Sequence, residues 1–342
     1  MALGSFCCAA LAGDMNVLSP REYQVFQRQG MYDGSVLVSG SVKPECDKLQ
    51  VRITGKSLKG ELRGKWQMVP LIVKTRGFAS RIAVVPGGWY KVELRATKNG
   101  KDVAQAVVEK VGVGEVFVGA GQSNSTNNGQ FPIKQTTGMV SSFNGTAWRL
   151  ADDPQWGVHD QTGGGSFWPA FGDAIYAKYH VPVGVATTGH GGTCVAQWQP
   201  DASDGLFPWM MTRIYQLGPL GFRALLWHQG ESDGGKPTQE YVTKLSTVIR
   251  RSKLDAGWEF PWFVAQASYI DANSHSEPLV RAAQKELWDT GVALEGPDTD
   301  TLVGDNRDNN GKGIHFSPKG LKAHGEMWAE KVGAYLDSVL GK

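Results

Sequence analysis

A change of hydrophobic pattern near Gly112 constrains this chain more than any other feature. Before it, from about Gln24 to Val113, short apolar runs alternate with polar residues: Ser35–Val38, Leu49–Ile53, Val69–Val73, Arg81–Val85, Trp89–Leu94 and Val103–Val108. Turn signals such as Pro86-Gly87-Gly88 and Asn99-Gly100 separate these runs, as expected of short antiparallel strands. With no helical periodicity among them, they predict a small all-β sandwich of immunoglobulin-like size. After it, Val116–Ala120, Val183–Thr187, Ala224–His228 and Trp262–Gln266 are nearly continuous apolar runs, with a weaker one at Val292–Leu294. Such runs suit parallel strands buried on both faces. Between and after them, helical spacing appears at Tyr241, Leu245, Val248 and Ile249, around Leu279–Trp288, and at the C-terminus. There Ser317 reads as an N-cap and Pro318 as the first helical residue, with Leu321, Trp328, Val332, Leu336 and Val339 on one face,. The expected fold class is therefore α/β, a doubly wound parallel sheet over 113–342, preceded by the sandwich over 14–112. Residues 1–13 read as a signal-peptide remnant, because Met1–Ala12 is small and apolar and ends in an Ala-x-Ala-like pattern, although it lacks a basic start,. The expected location is secreted or periplasmic.

Composition narrows the partners. Thirty-five Lys and Arg against 33 Asp and Glu leave a net charge of +2, too little to hold a nucleic-acid backbone or an anionic membrane surface. No run approaches the length of a membrane span, and no obligate protein partner is evident. Beyond Cys7 and Cys8 in the leading segment, only Cys46 and Cys194 remain, without metal-site or redox spacing. Neither a metal nor an organic cofactor is expected. The 12 Trp exceed what a core of this size needs, and surplus indoles often face sugars.

In an open α/β sheet the ligand sits beyond the carboxyl ends of the strands, so chemistry is sought there. The first strand is followed by Gly119-Ala120-Gly121-Gln122-Ser123-Asn124-Ser125, in which Ser123 stands where a nucleophile can clear the sheet. The pattern is neither a Gly-x-Ser-x-Gly elbow nor a phosphate loop. The second is followed by Thr188-Gly189-His190-Gly191-Gly192-Thr193, where glycine N–H groups could face an oxyanion. The third is followed by Trp227-His228-Gln229-Gly230-Glu231-Ser232-Asp233, a polar cluster too costly to bury unless its members pair. Before the last helix, His315 stands two residues ahead of the cap, and a loop His beside a strand-end Ser is what general-base activation requires.

Taken together, Gly121-Gln122-Ser123-Asn124, Gly191-Gly192-Thr193 with Trp198 downstream, Trp227-His228-Gln229-Gly230-Glu231-Ser232 and Gly313-Ile314-His315-Phe316-Ser317 resemble the SGNH hydrolase superfamily. Within it they are most similar to the sialate O-acetylesterase and acetylxylan esterase branch of carbohydrate esterases. The likeness covers about residues 112 to 342, and the β-rich segment before it is similar to an accessory domain of such proteins. The resemblance implies Ser123 as nucleophile and His315 as general base. It implies an oxyanion hole from the N–H groups of Ser123 and of Gly191 or Gly192, completed by the Gln229 amide, with Glu231 bracing the nucleophile loop. Relatives carry the acid of the triad two or three residues before the His, where this chain has Gly313 and Lys312. Asp308 is then the favoured acid, with Asp305 and Glu231 as alternatives and a Ser–His dyad as a further one.

The implied activity is that of a serine esterase removing acetyl groups from an O-acetylated carbohydrate, of acetylxylan or sialate type, through an acyl-enzyme. A catalytically silent carbohydrate-binding protein is the alternative, kept open by the missing acid at the usual spacing. A lipid or aryl esterase is weaker, for want of a long apolar lid. Trp168, Trp198, Trp209 and Trp227 fall near the strand-end segments and are expected to line a sugar cleft, whereas Trp288 and Trp328 are expected in the core.

Overall fold

A computed structural model describes residues 14–72, 74–274 and 276–341. The predicted signal-peptide remnant, with Cys7 and Cys8, lies outside the described residues. The first part comprises β1 (Met15–Ser19), β2 (Val25–Gln27), β3 (Ser35–Val42), β4 (Lys48–Ser57), β5 (Gly60–Leu62), β6 (Gln67–Met68), β7 (Leu71–Ile72), β8 (Gly77–Ala83) and β9 (Gly87–Lys98), antiparallel wherever these strands pair with one another. One sheet runs β1-β3-β8-β7, and β4 pairs with β9 beside it. Val36, Val38, Leu49, Val51, Tyr90, Val92 and Leu94 alternate with more exposed neighbours and form one apolar core, the period-2 pattern of half-buried strands. The run expected at Val69–Val73 is reduced to the two-residue strands β6 and β7, flanking Pro70, which has no N–H to offer a ladder.

The next strand, β10 (Lys101–Gly121), is 21 residues long and carries the chain from one pattern into the other. Its first part pairs antiparallel with β9, and from Glu115 onward it pairs parallel. No linker separates the two sequence patterns; residue 112 falls inside this strand. There follow β11 (Val140–Phe143), β12 (Trp148–Leu150), α1 (Trp168–Tyr179), β13 (Val183–Thr187), α2 (Leu206–Leu217), β14 (Ala224–His228), α3 (Thr238–Ala256), β15 (Trp262–Gln266), α4 (Pro278–Asp289), β16 (Leu294–Asp298), the single turn α5 (Asp308–Gly311) and α6 (Pro318–Leu340). The sheet order is β12-β11-β13-β10-β14-β15-β16, parallel except for β12 at the edge. From β10 at the centre the chain goes out to β11 and β12, returns to β13 beside β10, and then adds β14, β15 and β16 outward on the other side.

Strand residues point alternately to two separate cores. Val116, Val118, Leu225, Trp227, Trp262 and Val264 pack with α2, α3 and α4, while Phe117, Ala224, Leu226 and Phe263 pack with α1 and α6. Helices therefore cover both faces, which explains why the strands are apolar at every position. Ser317 caps α6 by accepting from Gly320 N at 3.2 Å, with Pro318 inside the first turn. Its buried face continues from Leu336 to Leu340. Val339, expected on that face, is 44% exposed, and Leu340 is buried in its stead. The outer strand begins at Leu294, later than the expected Val292.

Where β10 turns parallel, Glu115 is fully buried between two guanidinium groups. Arg28 Nε donates to Oε1 at 2.7 Å and Arg223 Nε to Oε2 at 2.8 Å, and Gln27 Nε2 adds a bond at 3.0 Å. This joins the segment after β2 to the parallel sheet, and losing the carboxylate leaves two cations poorly compensated. Glu115→Ala should lower the unfolding free energy by about 3–5 kcal/mol in a denaturant titration. Removing the exposed Lys285–Asp289 pair on α4 should change it by less than about 0.5 kcal/mol,.

Candidate active site

The strand-end segments meet at the carboxyl edge of the sheet. β10 ends at Gly121, whose φ is +128°, and a Cβ there would lie 2.0 Å from the His228 carbonyl oxygen. Only glycine lets the ends of β10 and β14 approach this closely. Gln122 N then donates to that same carbonyl at 2.9 Å, and the chain enters a short 3-10 turn, Ser123–Ser125. Ser123 is buried at 5% exposure.

Much of the polar cluster after β14 is paired internally, while Gln229 Oε1, Glu231 Oε2 and His228 Nδ1 are buried with no hydrogen-bond partner among the described residues. Gln122 Oε1 accepts from Gln229 Nε2 at 3.1 Å and from the backbone N–H of Gly230 and Ser232 at 3.4 and 3.1 Å. Asp233 accepts from Gln229 Nε2 at 2.6 Å, Val195 N at 2.8 Å and Lys236 Nζ at 2.8 Å. Gln229 Nε2 also reaches Thr193 O at 3.1 Å. Its two hydrogens thus face three internal acceptors, so Gln229, expected at the oxyanion, here ties together the loops after β10, β13 and β14. Glu231 Oε1 accepts from Asn124 Nδ2 at 2.9 Å, within the turn that carries Ser123. Burial raises the pKa of the Glu231 carboxyl, and the Asn124 bond partly offsets that rise.

Asn124 Nδ2 also lies 3.3 Å from Ile314 O, which brings the His315 loop against the Ser123 turn. This loop is closed by Asp308 N donating to His315 O at 2.9 Å. Arg307, which sequence reasoning missed, holds it from beneath through bonds to Leu302 O, Thr299 O and Ile314 O at 2.5, 2.9 and 2.8 Å. Its guanidinium lies 4.2 Å from the Phe316 ring centroid and 3.7 Å from that of Tyr269. Between Asp308 and His315 the backbone turns left-handed at Asn309 (φ 49°), Asn310 (φ 58°) and Gly311 (φ 83°), residue types that tolerate this region. The fold-back sets Asp308 Oδ2 3.8 Å from His315 Nδ1, an ion-pair distance longer than a hydrogen bond. A Cβ on Gly313 would lie 1.6 Å from Asp308 Oδ1, so the carboxylate fills the space a side chain at 313 would need. Asp305, weighed as the acid, has a side chain 91% exposed, with Lys319 at 3.5 Å. Glu231, the other alternative, has Oε1 bonded to Asn124 Nδ2 and Oε2 buried without a hydrogen-bond partner among the described residues.

Of the two glycines weighed for the oxyanion hole, Gly191 lies beside Ser123: a Cβ on it would be 3.5 Å from the Ser123 Cβ. Its N–H is already donated to Asp160 Oδ2 at 2.7 Å. The next residue, Gly192, is exposed and left-handed, with φ 70°.

The tryptophans divide differently from expectation. Trp168, Trp198 and Trp227 are fully buried and line no cleft. They stand under the loops instead, Trp168 Nε1 donating to Ser125 O and Trp198 Nε1 to Thr193 Oγ1, each at 3.0 Å. Trp209 alone of the four is open, 36% exposed and edge-on to His159 at 5.2 Å. His159 in turn meets His190 with Nδ1 atoms 2.6 Å apart. Trp328 is in the core and Trp288 packs against it. Cys46 and Cys194 are free thiols. Among the described residues no group of three or more His, Cys, Asp or Glu is placed to hold a metal ion, and no helix is long and apolar enough to cross a membrane.

Comparison with known proteins agrees with this arrangement. A sequence model of the family described as "Carbohydrate esterase, sialic acid-specific acetylesterase" matches residues 113–334. No curated protein matches the sequence. Among solved structures the fold is similar to that of a carbohydrate acetylesterase from Xanthomonas citri, with 19% identity over 96% of this chain and 76% of that one and a TM-score of 0.61. It is also similar to a protein from Arabidopsis thaliana, with 17% identity over 66% of this chain and 98% of that one and a TM-score of 0.53.

Burial lowers the pKa of His315 below 6.5, Arg307 lowers it further, and Asp308 and Glu231 oppose the shift. The neutral imidazole therefore persists below pH 6.5. If His315 works as a base, the acid limb of a kcat/KM profile should fall below that value. Asp308→Asn removes a raising influence and should move the limb to still lower pH; a shift upward would contradict this geometry.

Proposed function

The chain belongs to the family of sialic acid-specific acetylesterases among carbohydrate esterases, and from that premise we propose that Ser123, His315 and Asp308 deacetylate sugars by acyl transfer. As a member it is a hydrolase of ester bonds, with acetylated carbohydrate as substrate. The observation that carries the finer reading is the convergence of the Ser123 turn and the His315 loop, joined through Asn124 and Ile314.

In this reading Ser123 Oγ attacks the acetyl carbonyl carbon while a neutral His315 nitrogen takes its proton. With Nδ1 facing Asp308, Nε2 is the nitrogen left for the serine, and the carboxylate steadies the imidazolium that forms. The N–H groups of Ser123 and Gly192 receive the oxyanion. Collapse breaks the bond to the sugar oxygen, which leaves with the proton from His315. Water then attacks the acetyl-enzyme with His315 again as base, releasing acetate and restoring Ser123. The silent sugar-binding alternative rested on the absent acid at the usual spacing; Asp308 Oδ2, 3.8 Å from His315 Nδ1, supports the catalytic reading over it. An SGNH-type domain over 113–342, an accessory β-sandwich over 14–112 and a secreted or periplasmic location belong to the same proposal. The domain division is supported by the family match beginning at residue 113 and by the separate antiparallel core; the location rests on the composition of Met1–Ala12 alone.

Ser123→Ala should lower kcat on an activated aryl acetate by about a thousandfold or more, and His315→Ala by a similar factor. Asp308→Ala should cost about a hundredfold, whereas Asp305→Ala should stay within about twofold. Acetate release from a panel of O-acetylated xylan fragments and sialic acids would identify the glycan. Full turnover by Ser123→Ala would discard the nucleophile assignment.

A further inference from the structure

Taking the esterase reading as its basis, we infer that Asp160 is a positioning residue that holds both halves of the oxyanion hole in register. The hole needs two backbone N–H groups fixed within a fraction of an ångström, and one of them comes from a Gly191-Gly192 pair, the residue type with the most backbone freedom. Three contacts from one short segment restrain that pair. His159 N donates to Gly189 O at 2.9 Å, the His159 and His190 rings share a contact of 2.6 Å, and Asp160 Oδ2 takes the Gly191 N–H at 2.7 Å. With the Gly191 N–H occupied, the Gly192 N–H is the loop donor left to a substrate.

The Asp160 carboxylate is itself built in. Oδ1 accepts from Thr162 Oγ1 at 2.9 Å and Thr162 N at 3.3 Å, while Oδ2 is 3.3 Å from Thr126 Oγ1 and 3.5 Å from Asn128 Nδ2. Thr126 Oγ1 also lies 3.0 Å from the Ser123 carbonyl oxygen. With the one Thr126 hydroxyl hydrogen on the Ser123 carbonyl, Asn128 Nδ2 donates to Thr126 Oγ1 at 2.6 Å and faces Asp160 Oδ2 at 3.5 Å, so one carboxylate reaches the glycine loop directly and the Ser123 turn through Asn128 and Thr126. An alternative role follows from the same 2.7 Å bond: a carboxylate on a hole N–H could act as a plug that substrate must displace. The two roles have opposite consequences, because releasing an anchor slows the chemical step and removing a plug speeds it.

The test compares wild type, Asp160→Ala and Asp160→Asn on 4-nitrophenyl acetate, with phosphonylation of Ser123 by an aryl fluorophosphonate as a second readout, since its phosphoryl oxygen would occupy the same hole. Thermal melting checks that each variant is folded. The expected result is a loss of about a hundredfold in kcat for Asp160→Ala with KM within about threefold. Phosphonylation should slow in parallel, and Asp160→Asn, whose amide oxygen can still accept from Gly191 N, should return to within about tenfold of wild type. A folded Asp160→Ala as fast as wild type, or faster, overturns the inference, as does Asp160→Asn failing to recover. A wild type that neither turns over the ester nor is labelled sinks the esterase reading itself, and the inference with it.

Discussion

A parallel sheet covered by helices on both faces leaves unpaired polar groups only one place to go, the ends of its strands, and this constraint organises the rest of the molecule. Along Val116–Ala120 of β10 and along β13, β14 and β15 the strands pair in parallel register and nearly every side chain is buried and apolar. At the carboxyl ends the chain must reverse, and there Gln122, Asn124, Gln229, Glu231 and Asp233 are all buried. Leaving one such group unpaired costs about 1–3 kcal/mol, so their bonds to one another are the condition for the edge to exist. The same bonds fix the serine turn, because Gln122 and Asn124 are its immediate neighbours. Stability and positioning at this edge rest on one network.

The tryptophans extend that logic into the core. Trp168 and Trp198 fill volume beneath the loops while their single N–H groups satisfy Ser125 O and Thr193 Oγ1. Trp227 does the same for the Tyr241 hydroxyl at 3.3 Å, and Tyr241 passes the bond on to Gln229 O at 2.8 Å. An indole suits this place because it is large and apolar with one polar tip. The surplus of Trp in the sequence thus reflects props between core and edge more than a sugar-facing surface, leaving Trp209 as the open one.

How much of this was legible in the sequence follows from which interactions are local. The four central strands and α3, α4 and α6 were readable because burial pattern alone dictates them. The hairpin of β11 and β12 was not: Val140-Ser141-Ser142-Phe143 puts two serines in the interior. Nor were α1 and α2, whose N-caps, Phe167 and Gly205, make no side-chain capping bond and give no start signal. At the edge, residue types at strand ends pointed to Ser123, His315 and Glu231. The role of Gln229 turned on counting acceptors around one amide, and Asp160 and Arg307 act through backbone groups of distant loops, which no spacing encodes.

The acid partner shows where sequence spacing and geometry part. The resemblance placed a carboxylate two or three residues before the His, and this chain has glycine and lysine there. What orienting an imidazole requires is a carboxylate beside its Nδ1, with no constraint on the number of intervening residues. Asn309, Asn310 and Gly311 supply the left-handed turn that returns Asp308 to His315, and Gly313 supplies the vacancy the carboxylate enters. These two features depend on each other. Any side chain at 313 would collide with Asp308, and without Asp308 the missing side chain at 313 would leave His315 with no nearby acid on its own loop. The glycine at the position of the expected acid is, in three dimensions, what leaves room for the Asp308 carboxylate beside His315.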